Sequence, residues 1–223
     1  MNTLSNVNTR RGEPHPPTPD LSSVSSPENQ SLLAGVSVKY ALHPDKYWYV
    51  LRVTYNRVSR AYDILRKAGL EVYLPMHYVQ KIIQDKKKRV LEPLLPNIIF
   101  VYATPESITS VVKKPSHHSF INFYLNHFKQ DEYGKNPPLT VGYNDMMNFI
   151  NLTSVDSEHI RVVEPERCHY KSGDVVRVTD GDFKGVTGRV ARVSGQQRVV
   201  VELEGLCLVA TAYVPSGFLI KIE

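Results

Sequence analysis

Lysines and arginines in two short stretches are the residues of this chain whose spacing could do chemistry, and that chemistry is the binding of a polyanion. Arg57, Arg60 and Lys67 recur at helical spacing. With Ile64 they fall within about 80° of one another on a helix turning 100° per residue. Further on, Lys86, Lys87, Lys88 and Arg89 follow Asp85 at what reads as a hairpin tip. Each cluster has two readings, a solvated cationic surface or a set of phosphate contacts. Residues 41–152 hold 15 Lys or Arg against nine Asp or Glu, whereas the whole chain of 223 residues carries a net +5. The basic excess sits in the middle of the chain and points to nucleic acid. Catalysis finds no such support. No phosphate-cradling glycine loop, metal-ligand spacing or pair of carboxylates stands out, and His117-His118 reads as a polar surface turn. The expectation is a non-enzymatic protein with neither cofactor nor metal.

The elements that must position these groups are read from pattern and capping. Tyr47 to Val53 is a strand, and Asn56 to Ala68 is a helix with Asn56 as N-cap and Gly69 closing it. Its apolar face is Val58, Ala61, Tyr62 and Leu65. Glu71 to Pro75 is a strand stopped by proline, and His77 to Ile83 pairs with Val90-Leu91-Glu92 across the cationic tip. Leu94 to Tyr102 is the most apolar segment and reads as a central strand. Thr104 and Pro105 open a helix from Glu106 to Lys113. Ser119 to Tyr124 is a strand, and a helix from Tyr143 to Leu152 presents Met146, Met147, Phe149 and Ile150. This order implies a mixed sheet with helices packed on it over residues 46–152.

Residues 1–38 alternate proline with serine, carry no aromatic residue, and read as a disordered tail. Residues 153–167 are acidic, lack glycine and read as a linker. No window approaches the ~20 apolar residues of a transmembrane helix, and the N-terminus lacks a secretory series. Cys168 and Cys207, without a CxxC, read as two reduced thiols, with a disulfide as the alternative. The expected setting is cytoplasmic, away from membranes.

Residues 168–223 read as a small barrel of five strands, at about 174–179, 186–194, 198–204, 206–213 and 217–222. Gly181, Gly185 and Gly188 punctuate its valine runs, with Phe183 at the turn. Glycine suits both a turn between strands and a bulge within one. The stretch 173–190 resembles the KOW motif of transcription elongation factors and some ribosomal proteins. A helix-covered sheet, a linker and such a barrel, in that order, resemble the NusG family over residues 46–223. Trp48-Tyr49-Val50, Leu74-Pro75 and Glu92-Pro93-Leu94-Leu95-Pro96-Asn97 carry the likeness.

The resemblance implies an α+β protein, with an NGN domain at 46–152 and an SH3-like KOW barrel at 168–223. Glu-Pro-Leu-x-Pro-Asn and the proline-rich start resemble the specialised RfaH and UpxY paralogs, which implies antitermination of long polysaccharide operons. A housekeeping NusG and a KOW-type RNA-binding protein are the competing readings. The implied partner is the clamp of RNA polymerase, held by a pocket including Ile98 and Phe100, with Leu94 and Leu95 at its edge. Arg52 stands where the family has an aromatic. Thr109 and Ser110 fall where the opposite pincer is touched, and read equally as helix surface. Arg60, with Arg57 and Lys67, matches a position used on the non-template DNA strand.

Nascent leader RNA, and a ribosomal or regulatory protein at the barrel, are further implied partners of a monomeric factor. Leu203-Glu204-Gly205 places a carboxylate where the family's Rho contact has an aromatic, which argues against that contact. Some specialised members hold the barrel against the polymerase pocket, and Glu92 with Arg198 occupies places where an interdomain ion pair could form, although the two read first as solvated surface charges.

Overall fold

Tyr47–Val53 (β1) and Ile98–Ala103 (β5) pair antiparallel, with Tyr49 opposite Val101 and Leu51 opposite Ile99. Their apolar runs are almost unbroken, as in strands covered on both faces, and every residue of β5 is buried. The structure is a computed structural model and describes residues 40–155 and 160–222. The tail expected over 1–38 and part of the expected linker lie outside the described residues. Those described belong to one compact unit, Ser31–Glu223.

From β1 the chain crosses through helix α1 (Val58–Lys67) to β2 (Glu71–Tyr73), which pairs with the far edge of β5. β6 (Ile121–Phe123) and β7 (Thr140–Val141) pair with the other side of β1. The α+β class is as expected, but every pair in this sheet is antiparallel rather than mixed. The α1 crossover makes β1 and β2 run the same way, and β5 inserts between them antiparallel to both. α1 itself starts later than expected. Asn56 has φ +53° and lies outside the helix, Arg57 is the N-cap, and Gly69 at φ +78° follows the C-terminal end.

Helices α1 and α2 (Pro105–Val112) cover one face of the sheet, burying Val58, Ala61, Leu65, Ile108, Val111 and Val112 against Tyr49, Leu51, Val53, Ile99 and Val101. The Thr104 hydroxyl caps α2 by accepting from the Ser107 N–H at 3.3 Å. The histidine pair expected in a surface turn closes a short helix, α3 (Pro115–His118), where His117 Nδ1 bonds the Val111 carbonyl at 3.0 Å. Over the opposite face lies α4 (Tyr143–Thr153), which buries Met146, Phe149 and Ile150.

β3 (Met76–Ile83) and β4 (Lys86–Pro93) form a separate two-stranded ribbon. Gln84 and Asp85, at φ +51° and +57°, make its two-residue turn. The cations expected at the tip are therefore strand residues, because a two-residue turn leaves the pairing to begin at Ile83 and Lys86.

The C-terminal part is a six-stranded antiparallel sheet in the order β13-β9-β10-β11-β12-β8. Five of its strands are β9 (His169–Val178), β10 (Thr187–Val193), β11 (Gln196–Leu203), β12 (Cys207–Tyr213) and β13 (Leu219–Lys221). The sixth, β8 (Arg161–Val163), comes from the stretch read as a linker. Val162 is opposite Val209 and Val163 opposite Leu208. Register breaks at Arg189/Ala191 and Arg198/Val200 bend this sheet.

Candidate functional site

Strand alternation sends Ile98, Phe100 and Tyr102 of β5 to the same face as Trp48 and Val50 of β1. Leu94 and Leu95, just before β5, join them, so the sheet does bring the four expected pocket residues together. All four are buried: Phe100 is 0%, Leu94 5%, Leu95 6% and Ile98 9% exposed. The cover is α4. Its Phe149 ring lies 5.4 Å from that of Phe100 and 6.4 Å from that of Tyr73, and the Tyr73 hydroxyl meets Thr153 Oγ1 at 2.5 Å. Burial pushes the Tyr73 phenol up from its ordinary range, so it stays neutral. Arg52, the remaining member, is exposed at the end of β1. Thr109 and Ser110, half-buried and exposed, lie on α2 over the opposite face of the sheet.

The apolar cluster under α4 does not stop at the first sheet. Val199, Val201 and Leu203 of β11, Val176 and Val178 of β9, and Phe183 and Val186 belong to the same buried cluster as Phe100 and Phe149. Phe183 is only 6% exposed, so it is a packing residue and not a displayed aromatic. A polar clamp accompanies the apolar contact. Asn148 Nδ2 donates to the Thr187 carbonyl at 2.5 Å, and the Thr187 N–H donates back to Asn148 Oδ1 at 2.8 Å. The side chain thus imitates a strand edge, satisfying backbone groups at the start of β10.

Glu204 is exposed, and Gly205, at φ +77°, turns the chain beside Leu139 and Phe128. The Glu92–Arg198 pair does not form. Glu92 is bound by Lys81, while Arg198 is buried and donates to the Thr211 carbonyl at 2.6 Å and Gln196 Oε1 at 2.9 Å. Burial, and then the nearby Arg161, lower the Arg198 guanidinium from its ordinary value.

The two cationic stretches end up on different elements. Arg57, Arg60 and Lys67 are exposed along α1, a ridge about 15 Å long at 1.5 Å per residue. Both arginines are held over the Phe120 ring, each guanidinium 5.5 Å from its centroid. On the ribbon, alternation places Lys86 and Lys88 on one face and Lys87 and Arg89 on the other. Lys81, opposite Lys88, and Tyr78, whose ring lies 3.8 Å below the Arg89 guanidinium, were missed from the sequence. The hairpin register would have found both. Asn148 had no signal, because its partner lies 39 residues away.

The glycines of the C-terminal turn serve two purposes. Gly181 and Gly185 have φ of +79° and +89°. At Gly188 a Cβ would come within 2.4 Å of the Val200 carbonyl oxygen, so β10 and β11 approach too closely for any side chain.

Residues 46–132 match the family model described as transcription termination factor nusG, and residues 172–202 match the KOW motif. The chain thus carries a NusG-type region followed by a KOW motif. The two matches together span just over half of the chain. Among solved structures, one described as domain interaction in Thermotoga maritima NusG is similar at 18% identity, covering 80% of this chain and 98% of that one, with a TM-score of 0.39. These matches support a role in transcription elongation or antitermination, with RNA polymerase as the partner in general. No described helix is long and apolar enough to cross a membrane.

Proposed function

We propose that this chain is a specialised NusG-family antiterminator of the UpxY and RfaH kind, acting on surface or capsular polysaccharide operons, and held closed until it is recruited. One observation carries the reading. The apolar face with Ile98 and Phe100, the surface that would grip the polymerase clamp, lies under α4 in a buried cluster continuous with the C-terminal sheet. A factor closed in this way engages polymerase only when something favours the open form, and a ligand shifts such an equilibrium by its differential affinity for the two states. For a housekeeping factor that acts on every gene, that cost falls on every encounter. For an operon-specific one it supplies selectivity.

Glu204 in place of an aromatic supports the loss of Rho coupling, and Glu92 to Asn97 supports the paralog assignment. The exposed cations of α1 and of the ribbon are the surfaces that would follow the non-template DNA strand. Phosphate contacts of this kind give salt-dependent affinity with little sequence information.

The test is single-round transcription by purified polymerase on a long template, with and without Rho and this protein. Longer transcripts and resistance to Rho, confined to templates with one upstream leader, are expected. An effect on every template would replace the reading with the housekeeping one. No polymerase binding at all would sink it. In the same assay, replacing Arg57, Arg60 and Lys67 together by Ala lowers recruitment, and raising salt shrinks the difference from wild type.

A further inference from the structure

At the junction of β1 and α1 the chain displays a bulky aromatic where burial gains nothing. After Val53 the Thr54 N–H bonds the Phe120 carbonyl at 2.9 Å, and the next two residues, Tyr55 and Asn56, have φ of +60° and +53°. Positive φ is tolerable for asparagine and costly for a tyrosine. Tyr55 is nevertheless 75% exposed, and its hydroxyl makes no hydrogen bond among the described residues. The ring is not loose. The Arg57 guanidinium sits 5.5 Å from the Tyr55 centroid and 5.5 Å from that of Phe120, which is itself 2% exposed. Arg60 is held over Phe120 from the next turn of α1. Among the described residues neither guanidinium forms an ion pair with a carboxylate, so both remain available to an anion.

We propose that Tyr55 is a stacking platform for one unpaired nucleobase, with Arg57 and Arg60 holding the flanking phosphates. An exposed aromatic ring beside cations that lack protein counter-charges is the combination that holds single strands without regard to sequence. A duplex hides its base faces and offers such a ring nothing. The inference rests on the reading of α1 as a DNA-facing ridge and adds to it a base contact.

The experiment uses the full-length protein without polymerase. Fluorescence anisotropy measures its binding to a labelled single-stranded DNA dodecamer, to RNA of the same sequence, and to the DNA duplex, over a series of salt concentrations. Tyr55→Gly removes the ring and is at ease with positive φ, so its fold is safe. It is expected to weaken single-strand binding about 5- to 150-fold. The slope of affinity against salt stays the same, because no phosphate contact is lost. Tyr55→Phe stays within about twofold of wild type, since the π-face is kept. A loss on both DNA and RNA single strands assigns the platform to any unpaired base, and a loss on DNA alone assigns it to the displaced DNA strand.

Unchanged single-strand affinity in Tyr55→Gly, or an equal loss on duplex, overturns the proposal. The triple Ala variant of Arg57, Arg60 and Lys67 separates the two failures. If it weakens binding while Tyr55→Gly does not, the phosphate ridge stands without the stacking. If neither matters, both are wrong.

Discussion

The two faces of the first sheet are equally apolar in sequence and differently closed in space. Tyr49, Leu51, Val53, Ile99 and Val101 are sealed by α1 and α2, which adjoin the strands they cover. Trp48, Val50, Ile98, Phe100 and Tyr102 are sealed by α4, about 40 residues further along the chain, and share their cluster with the C-terminal sheet. The first face is a permanent core made by local crossovers. The second is covered from a distance, through an apolar layer and the Asn148–Thr187 clamp. For the second face to bind polymerase as proposed, its cover would have to move, whereas the first face needs no such change.

Substitution tests this difference most strongly at the two covers. Phe149→Ala, which opens the contact with Phe100 and Tyr73, is expected to cost about 3–5 kcal/mol in urea unfolding. Leu65→Ala on the other face costs about 2–5 kcal/mol. Only the Phe149 change should free the C-terminal sheet to tumble independently in NMR relaxation. If both variants free it, or neither does, the two faces are alike and the comparison is lost.

Asn148→Ala removes two hydrogen bonds at about 0.5–1.5 kcal/mol each. It should loosen docking by about 1–3 kcal/mol while leaving the helix-covered core untouched. The measurement is hydrogen exchange. Faster exchange along β10 and β11 with unchanged protection of β1 and β5 is expected, and uniform change across both sheets would refute the separability of the cover.

The smallest effect concerns Cys207, which packs against the shared cluster with its thiol pushed up to about 12 by burial. A raised thiol pKa means that the folded state keeps a proton the unfolded state releases near its ordinary value. Stability is therefore lost as pH rises between about 9 and 12, at no more than about 1.4 kcal/mol per pH unit from this group. The half-buried phenols of Tyr73 and Tyr143, both raised by partial burial, push in the same direction at higher pH. At pH 8 Cys207 should resist alkylation in the wild type and react faster in Asn148→Ala. Equal rates in the two proteins would mean that the clamp does not guard this cluster.

Much of the fold was legible from the chain. β1, β5, α2 and α4 follow from apolar runs, a Thr-Pro start and helical spacing, all local properties. The glycines of the KOW turn were legible for the same reason, since Gly181 and Gly185 announce backbone that other residues avoid. Local rules failed where pairing decided the outcome. Asn56 looked like a cap because its side chain is a good acceptor, but the backbone there turns left-handed and the helix begins beyond it. The Lys86–Arg89 run looked like a loop because it is charged, yet a two-residue turn made it a strand. Arg161–Val163 reads as part of a linker because residues 153–167 are acidic and lack glycine, yet β12 recruits it as an edge strand.

By itself the sequence determined the element types, the alternation that gives the first sheet two apolar faces, the excess of positive charge in residues 41–152, and the NusG–KOW order, because each depends on residues near one another in the chain. The tertiary structure alone decided which apolar face is covered by α4, that Phe183 is buried while Tyr55 is displayed, and that Asn148 rather than an ion pair links α4 to β10. Those outcomes depend on which distant surface reaches a residue first, and spacing along a chain carries no record of that.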